Sequence, residues 1–336
     1  MGQMIGSRIL GVGTAIPDRV VTNNDLAAMM ETSDEWIVER TGIRERHWVE
    51  DGSGVGASDL GVQAAYKALD MAGVKKEEID LIIFATLSPD HDFPGCAPIV
   101  QTKMGLAPIA CLDIRQQCTG FVYGLSVADA FIKAGAYKRI LLIGGEVHSA
   151  GLDRTTKGRD VTVLFGDAAG AVIVGPSDDP ERRIVSYHLH ADGAGALDLC
   201  VERPGCIATP RFSRQDFEEG KHFPKMNGKK VFRNAVTRMP EVVNEALLAN
   251  GLNIGDIKLV LPHQANLRIN EKVQQLLGLP DDKIFNNIQK YGNTTAATIP
   301  LLMSDALAAG RIQPKDLLCL VAFGAGYTWG SLLLRW

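Results

Sequence analysis

ALDMAGVKKEEIDL (68–81) can be set over ALLANGLNIGDIKL (246–259), and Ala, Leu, Gly, Ile and Leu then coincide at a constant offset of 178 residues. Each copy reads as a helix that stops at glycine, a short turn, and the start of an apolar strand. Working outward, CTGFVYGLSVADAFIKAG (118–135) lies over NTTAATIPLLMSDALAAG (293–310) at an offset of 175. In that frame Cys118 and Asn293 occupy the same place in two copies of one unit, each where a strand-like run gives way to a helix-like run. His263 follows the strand IKLVLP (257–262), whose counterpart is IDLIIFA (79–85). Two copies folded face to face would carry a thiol, an imidazole and an amide towards one pseudo-twofold axis. The duplication therefore predicts a single active site built from both halves.

The rest of the chain alternates in the same way. RILGVGTAIP (8–17), IDLIIFATL (79–87), ACLDIR (110–115), RILLIGGE (139–146) and AGAVIVG (169–175) read as strands. They are nearly continuous in apolar residues, as strands covered on both faces are. RIVSYHLHAD (183–192), IKLVLP (257–262) and LLCLVAFG (317–324) repeat the pattern in the second half. Helical spacing runs through 57–73, 120–135, 236–251, 266–278 and 298–310. This is an α/β chain, divided into halves at 1–176 and 177–336, with two sheets sandwiching the helices that begin at Cys118 and Asn293. The stretches 88–98 and 200–228 are irregular and read as functional surface loops.

Composition narrows the function classes. The chain has 336 residues, 46% hydrophobic and 22% charged, with a net charge of −4, which gives no footprint for nucleic acid. No apolar run approaches the roughly 20 residues of a membrane helix. MGQMIGSRILGVG lacks the pattern of a signal peptide, and Gly6 stands where a myristoylation signal wants Ser or Thr. Six scattered cysteines without a CxxC pair fit a reducing cytoplasm. His188 and His190 share one strand face but have no third ligand at metal spacing, so no metal is expected. FGAGYTWG (323–330) is followed by no helix of useful length and is not a dinucleotide fingerprint.

A thiol attacks as thiolate, and a helix N-terminus or a nearby imidazole lowers its pKa. Cys118, at a predicted helix start, is thus expected to be an activated nucleophile that forms an acyl-enzyme. The N–H of Cys118 and one from the 323–330 loop would hold the oxyanion. His263 and Asn293 both donate hydrogen bonds, which suits an enolate and hence carbon–carbon bond formation. Cysteine hydrolases use the same three residue types, so amide or thioester hydrolysis stays open at this point.

DIRQQCTGF (113–121), LPHQANLRI (261–269), YGNTTAATIP (291–300) and FGAGYTWGS (323–331) resemble the β-ketoacyl-acyl carrier protein synthase III family of thiolase-fold condensing enzymes. TSDEWIVERTGIRERH (32–47) and VLFGDAAGAVIV (163–174) are similar too, so the resemblance runs from about residue 8 to 336. It implies a five-layered αβαβα fold and a homodimer. It also implies acylation of Cys118 by an acyl-CoA, then decarboxylative condensation with malonyl-acyl carrier protein, with no cofactor beyond the acyl-CoA substrate. His263 and Asn293 would polarise the malonyl thioester, with Cys118 and Ala325 supplying the oxyanion N–H groups. The resemblance assigns Trp36, Arg40, Lys157, Arg159, Gly228, Asn266 and Arg268 to CoA and pantetheine. Lys157 stands there for the family's arginine against adenine. Phe93 is implied as the gate lent to a neighbour's acyl pocket. Arg115-Gln116-Gln117 and the long 200–227 loop depart from the family pattern. The DIR-x-QC, SPDH and GR-x-x-T features are similar to quinolone-signal, polyketide-starter and acyl-transfer members, which leaves a specialised condensing enzyme or a thioester acyltransferase or hydrolase as alternatives.

Overall fold

The computed structural model describes residues 6–336, so the reading of the extreme N-terminus at Met1 and Gly2 lies outside the described residues. The chain opens with β1 (Gly6–Ala15), then a two-stranded ribbon of β2 (Val20–Thr22) and β3 (Glu45–His47), which brackets α1 (Asn23–Ala27) and α2 (Asp34–Thr41). There follow α3 (Ala57–Ala72), β4 (Leu81–Ala85), α4 (Cys96–Lys103), β5 (Ala110–Ile114), α5 (Gly120–Lys133), β6 (Ile140–Glu146), α6 (Arg159–Thr162) and β7 (Ala168–Ser177). Next come β8 (Ile184–Ala191), β9 (Leu199–Cys200), α7 (Arg214–Glu218), β10 (Lys225–Met226), α8 (Gly228–Ala249) and β11 (Leu259–Pro262). The chain ends with α9 (Leu267–Leu277), α10 (Ile288–Tyr291), α11 (Thr298–Ala308), β12 (Leu317–Gly324) and β13 (Thr328–Arg335).

Two sheets repeat one topology. The first has the order β1-β7-β6-β4-β5 and the second β8-β13-β12-β11. In both, the first two pairings are antiparallel and the next is parallel. Where the second sheet would need a counterpart of β5, a parallel bridge joins Val260 to Ile284. Helices α5 and α11 fill the space between the sheets, where Phe121, Leu125, Leu302 and Met303 meet Ile83 and Leu320 in one core. Helices α3 and α4 cover the outer face of the first sheet, and α8 and α9 that of the second. The result is the five-layered αβαβα arrangement. Burial on both sides is why β4 and β12 are apolar at nearly every position.

The sheets uphold the duplication but move one equivalence. Gln117 (φ 44°) and Thr295 (φ 50°) are the left-handed residues that start the turns into α5 and α11, and they lie 178 apart. Cys118 therefore matches Ala296, and Asn293 lies three residues upstream. Contacts agree: Cys118 packs on Gly324 at the end of β12, and Ala296 packs on Gly144 in β6. The offset of 175 came from the far ends of the helices, where Gly135 and Gly310 both adopt left-handed φ. With 14 residues in α5 and 11 in α11, the helix ends and helix starts give different registers.

Other expectations were too coarse. Helix α8 begins at Gly228, eight residues before the expected start at 236, because Asn227 accepts from Lys230 N and caps a first turn that reads as charged loop. The final strand β13 was hidden behind the glycine-rich 323–330 segment. The 200–227 region holds α7, a β9–β10 ribbon and a small aromatic cluster with Phe217 stacked on His222 at 4.9 Å. Arg211 ties it to Asp92 of the 88–98 loop at 2.8 Å. His188 and His190 do share a face, and both reach Glu245 of α8. No group of side chains that could hold a metal, and no helix long and apolar enough to cross a membrane, occurs among the described residues.

Candidate active site

A cavity of about 710 Å³ lies where the two halves meet, and Cys118, His263 and Asn293 all line it. Each is delivered by a different junction. Cys118 sits on the tight turn before α5, pinned to the second sheet by a 2.8 Å hydrogen bond between the hydroxyls of Thr119 and Thr328. His263 follows β11, its N–H donating to Val321 O at 2.8 Å. The next residue, Gln264, is buried and holds the turn: its amide nitrogen donates to Pro262 O, and its oxygen accepts from Asn287 N and Ile288 N. Asn293 is bridged to Phe165, its own N–H donating to Leu164 O at 2.8 Å.

The polar atoms of the site are unequally satisfied. Asn293 Oδ1 accepts from Thr295 N at 2.9 Å, so its Nδ2 hydrogens are the ones turned to the cavity. His263 Nδ1 lies 2.7 Å from Thr298 Oγ1, while its Nε2 is buried without a partner among the described residues. Burial without a counter-charge pushes the His263 imidazole down to about 3, so it is neutral in the resting site.

Cys118 behaves against expectation. Burial is the largest influence, the Glu146 charge adds to it, and together they push the thiol up to about 12. The N–H groups of Ala325 and of Cys118 itself bond the sulfur and pull the other way. The short turn at the helix start does not overcome desolvation, so the resting residue is a thiol. Glu146 accepts from Thr86, Leu87 and Ser88, and burial still raises it to about 7.

Towards the surface the cavity is rimmed by Trp36, Arg40, Asn266, Arg268 and Gly228. Two guanidinium groups lie over the Trp36 ring, Arg40 at 4.4 Å and Arg159 at 4.6 Å from its centroid. Arg159, not Lys157, therefore supplies the flat cation against this indole. Lys157 is exposed in a neighbouring turn, and neither it nor Arg159 lines the cavity itself. Asn266 spends its amide within the protein, capping α9 through Arg268 N and donating to Arg40 O at 2.9 Å. Ala325 lines the cavity in the turn between β12 and β13. Phe93 is 80% exposed and lies away from the cavity of its own chain.

Sequence reasoning missed Gln264, Thr295, Thr298, His148 and Glu146. All are buried, and they act by fixing their neighbours. The only sequence signal was their place inside HQAN, GNTTAAT and GGEVH.

The site carries a prediction on stability. His148, whose Nε2 meets Thr295 Oγ1 at 2.7 Å, is also held at about 3 by burial. For both His148 and His263 the folded pKa lies below the ordinary 6.5. Their contribution to stability is therefore present above 6.5 and is lost as pH falls towards 3, since the unfolded chain binds protons that the folded chain does not. Glu146 acts oppositely between about 7 and 4.5. Urea midpoints read against pH should show His148→Gln reducing the acid-side slope by about one proton relative to the wild type.

Two layers of sheet around a central helix pair, with Cys, His and Asn facing one cavity, define a thiolase-fold condensing enzyme. The family model "3-Oxoacyl-[acyl-carrier-protein (ACP)] synthase III" matches residues 112–193, and its C-terminal model matches 247–336. The β-ketoacyl-[acyl-carrier-protein] synthase III of Paramagnetospirillum magneticum is 44% identical, with 99% of each chain covered. That of Geobacillus kaustophilus is 43% identical at the same coverage. The crystal structure of the Aquifex aeolicus synthase III superposes with a TM-score of 0.89 at 39% identity, covering 98% of this chain and 100% of that one. The chain belongs to the β-ketoacyl-[acyl-carrier-protein] synthase III family, and is an acyltransferase of the condensing type.

Proposed function

We propose that Cys118 takes an acyl group from an acyl-CoA and that the acyl-enzyme then condenses with a malonyl group carried by acyl carrier protein. The thiol sulfur attacks the acyl-CoA carbonyl, the N–H groups of Cys118 and Ala325 hold the oxyanion, and CoA leaves as the thiol. Loss of CO2 from the malonyl thioester places the electron pair in an enolate, whose oxygen is met by Asn293 and His263. The enolate carbon attacks the acyl-Cys118 carbonyl, and the β-ketoacyl product departs as the sulfur is released. The observation that carries this reading is the convergence of a thiol, a free amide donor and an unpartnered imidazole nitrogen on one cavity. Relatives 42–45% identical over essentially the whole chain, all named synthase III, favour it over a hydrolase or a specialised starter enzyme.

The acyl-CoA enters past Trp36, Arg40, Arg159, Gly228 and Arg268, with the guanidinium groups facing phosphate and Trp36 the adenine. No further cofactor takes part. The protein works in the cytoplasm as a homodimer, and the exposed Phe93 tip reaches the partner's acyl pocket. Incubation with a panel of acyl-CoAs, followed by intact-mass measurement, tests the reading. A single acyl adduct discharged by malonyl-acyl carrier protein with CO2 release supports it, and absence of any adduct overturns it.

The two cations make a separable prediction. Arg159→Ala should raise KM for acyl-CoA by about tenfold with kcat little changed, the loss of one partly desolvated cation–π or phosphate contact. Lys157→Ala should leave KM within about twofold, as an exposed charge does. Initial rates at varied acyl-CoA separate the two.

A further inference from the structure

The geometry points to Thr298 as the positioning residue that sets which nitrogen of His263 carries its proton, so that one imidazole serves both half-reactions. This rests on the reaction proposed above.

A threonine hydroxyl has one hydrogen to give and lone pairs to receive. Thr298 Oγ1 donates to Thr295 O at 2.9 Å and lies 2.7 Å from His263 Nδ1. While its hydrogen is directed at Thr295 O, the contact with Nδ1 is satisfied only if Nδ1 is the donor. A neutral imidazole protonated at Nδ1 has a bare lone pair at Nε2, and Nε2 is the buried nitrogen without a partner among the described residues. His263 thus rests as an acceptor towards the cavity.

That is the state the first half-reaction needs. Cys118 is held as a thiol by burial and by Glu146, and the N–H groups around it accept no proton. The lone pair of His263 Nε2, lining the same cavity, receives the thiol hydrogen as sulfur attacks. It returns that hydrogen to the CoA sulfur as the carbon–sulfur bond breaks, so the imidazole is neutral again.

The second half-reaction needs the reverse. An enolate oxygen facing a lone pair is repelled, and Asn293 would be its only side-chain donor. If the Thr298 hydrogen swings from Thr295 O to Nδ1, the tautomer protonated at Nε2 becomes the satisfied one. His263 then presents N–H to the carbonyl beside Asn293 Nδ2. The two arrangements differ in one hydroxyl rotation and the site of one proton, exchanged through the open cavity.

The surroundings make Thr298 a two-position device. It is 2% exposed, and its alternative acceptor, Thr295 O, is held out by a residue at φ 50°. A β-branched residue is rare in that region and persists only where neighbours impose it. The same Thr295 clamps Asn293 through its N–H and meets His148 through its hydroxyl. One residue thereby fixes the amide and offers Thr298 the acceptor that competes with His263.

The test compares Thr298→Val with Thr298→Ser. Valine keeps the shape and removes the hydroxyl, so an Nδ1–H would be buried without an acceptor and the Nε2–H tautomer should prevail. Imidazole 15N spectra of the substrate-free protein should report Nδ1–H at His263 in the wild type and in Thr298→Ser, and Nε2–H in Thr298→Val. Single-turnover acylation of Cys118 should fall about 100-fold in the valine variant, the scale of a lost general base. Condensation by enzyme acylated beforehand should change by less than about threefold, and serine should restore acylation. An unchanged tautomer in Thr298→Val, equal losses in both half-reactions, or serine behaving as valine would each overturn the assignment. Failure of the wild type to take any acyl group would sink the proposed function instead, and the spectra would still decide the tautomer.

Discussion

Cys118→Ala abolishes the acyl adduct and lowers overall condensation by about 10⁴- to 10⁶-fold, the scale of losing a nucleophile from a covalent mechanism. The side chain removed is one sulfur atom beside an existing cavity, so folding should change by no more than about 1 kcal/mol. What survives is as informative as what is lost. Asn293 keeps its Nδ2 hydrogens towards the cavity and His263 its free Nε2, since neither is held by the thiol. The variant should therefore still release CO2 from a malonyl thioester, without forming a carbon–carbon bond. Intact mass after acyl-CoA exposure, alongside CO2 release, reads both arms. An adduct that persists in Cys118→Ala would mean that one of the other five cysteines is the acceptor.

The pattern of the fold was legible because both sheets are buried on both faces. Burial makes β4 and β12 continuous apolar runs, and the glycines that end α3 and α8 recur at one spacing. The convergence of Cys118, His263 and Asn293 on one cavity was legible for a related reason: they stand at junctions, where a periodic pattern breaks and a reactive side chain is conspicuous. The register between Cys118 and Asn293 was read wrongly because three extra residues in α5 are invisible until the left-handed Gln117 and Thr295 are compared. The activation of Cys118 was also misjudged. Helix position is written in sequence, whereas desolvation and the nearness of Glu146 arise only from packing. Lys157 and Arg159 both read as CoA residues because a turn of chain can place either against Trp36, and it is Arg159 that lies over the ring. Gln264, Thr295 and Thr298 act by buried hydrogen bonds to neighbouring backbone and side-chain atoms, which leave no compositional trace.

Asn293→Ala should cut condensation by about 100- to 1000-fold while leaving acylation of Cys118 within a few-fold of the wild type, as loss of one donor to a developing oxyanion does. The reason lies in the two ends of the amide. Oδ1 is committed to Thr295 N at 2.9 Å, so the group that faces substrate is Nδ2. Asn293→Asp sharpens the point, because a carboxylate still accepts from Thr295 N and keeps the turn, but offers the enolate a negative charge in place of a donor. If positioning of the turn were the residue's contribution, aspartate would retain most activity and alanine would not. If donation is its contribution, both variants fail alike in condensation and both still take the acyl group. His263→Ala should differ from either, slowing acylation and condensation together, because its Nε2 is the acceptor for one step and the donor for the next. Rapid-quench measurement of acyl transfer, set beside CO2 release from malonyl-acyl carrier protein, gives the two rates for each variant. Loss of acylation in Asn293→Asp would place the amide in the first half-reaction and end its assignment to the second.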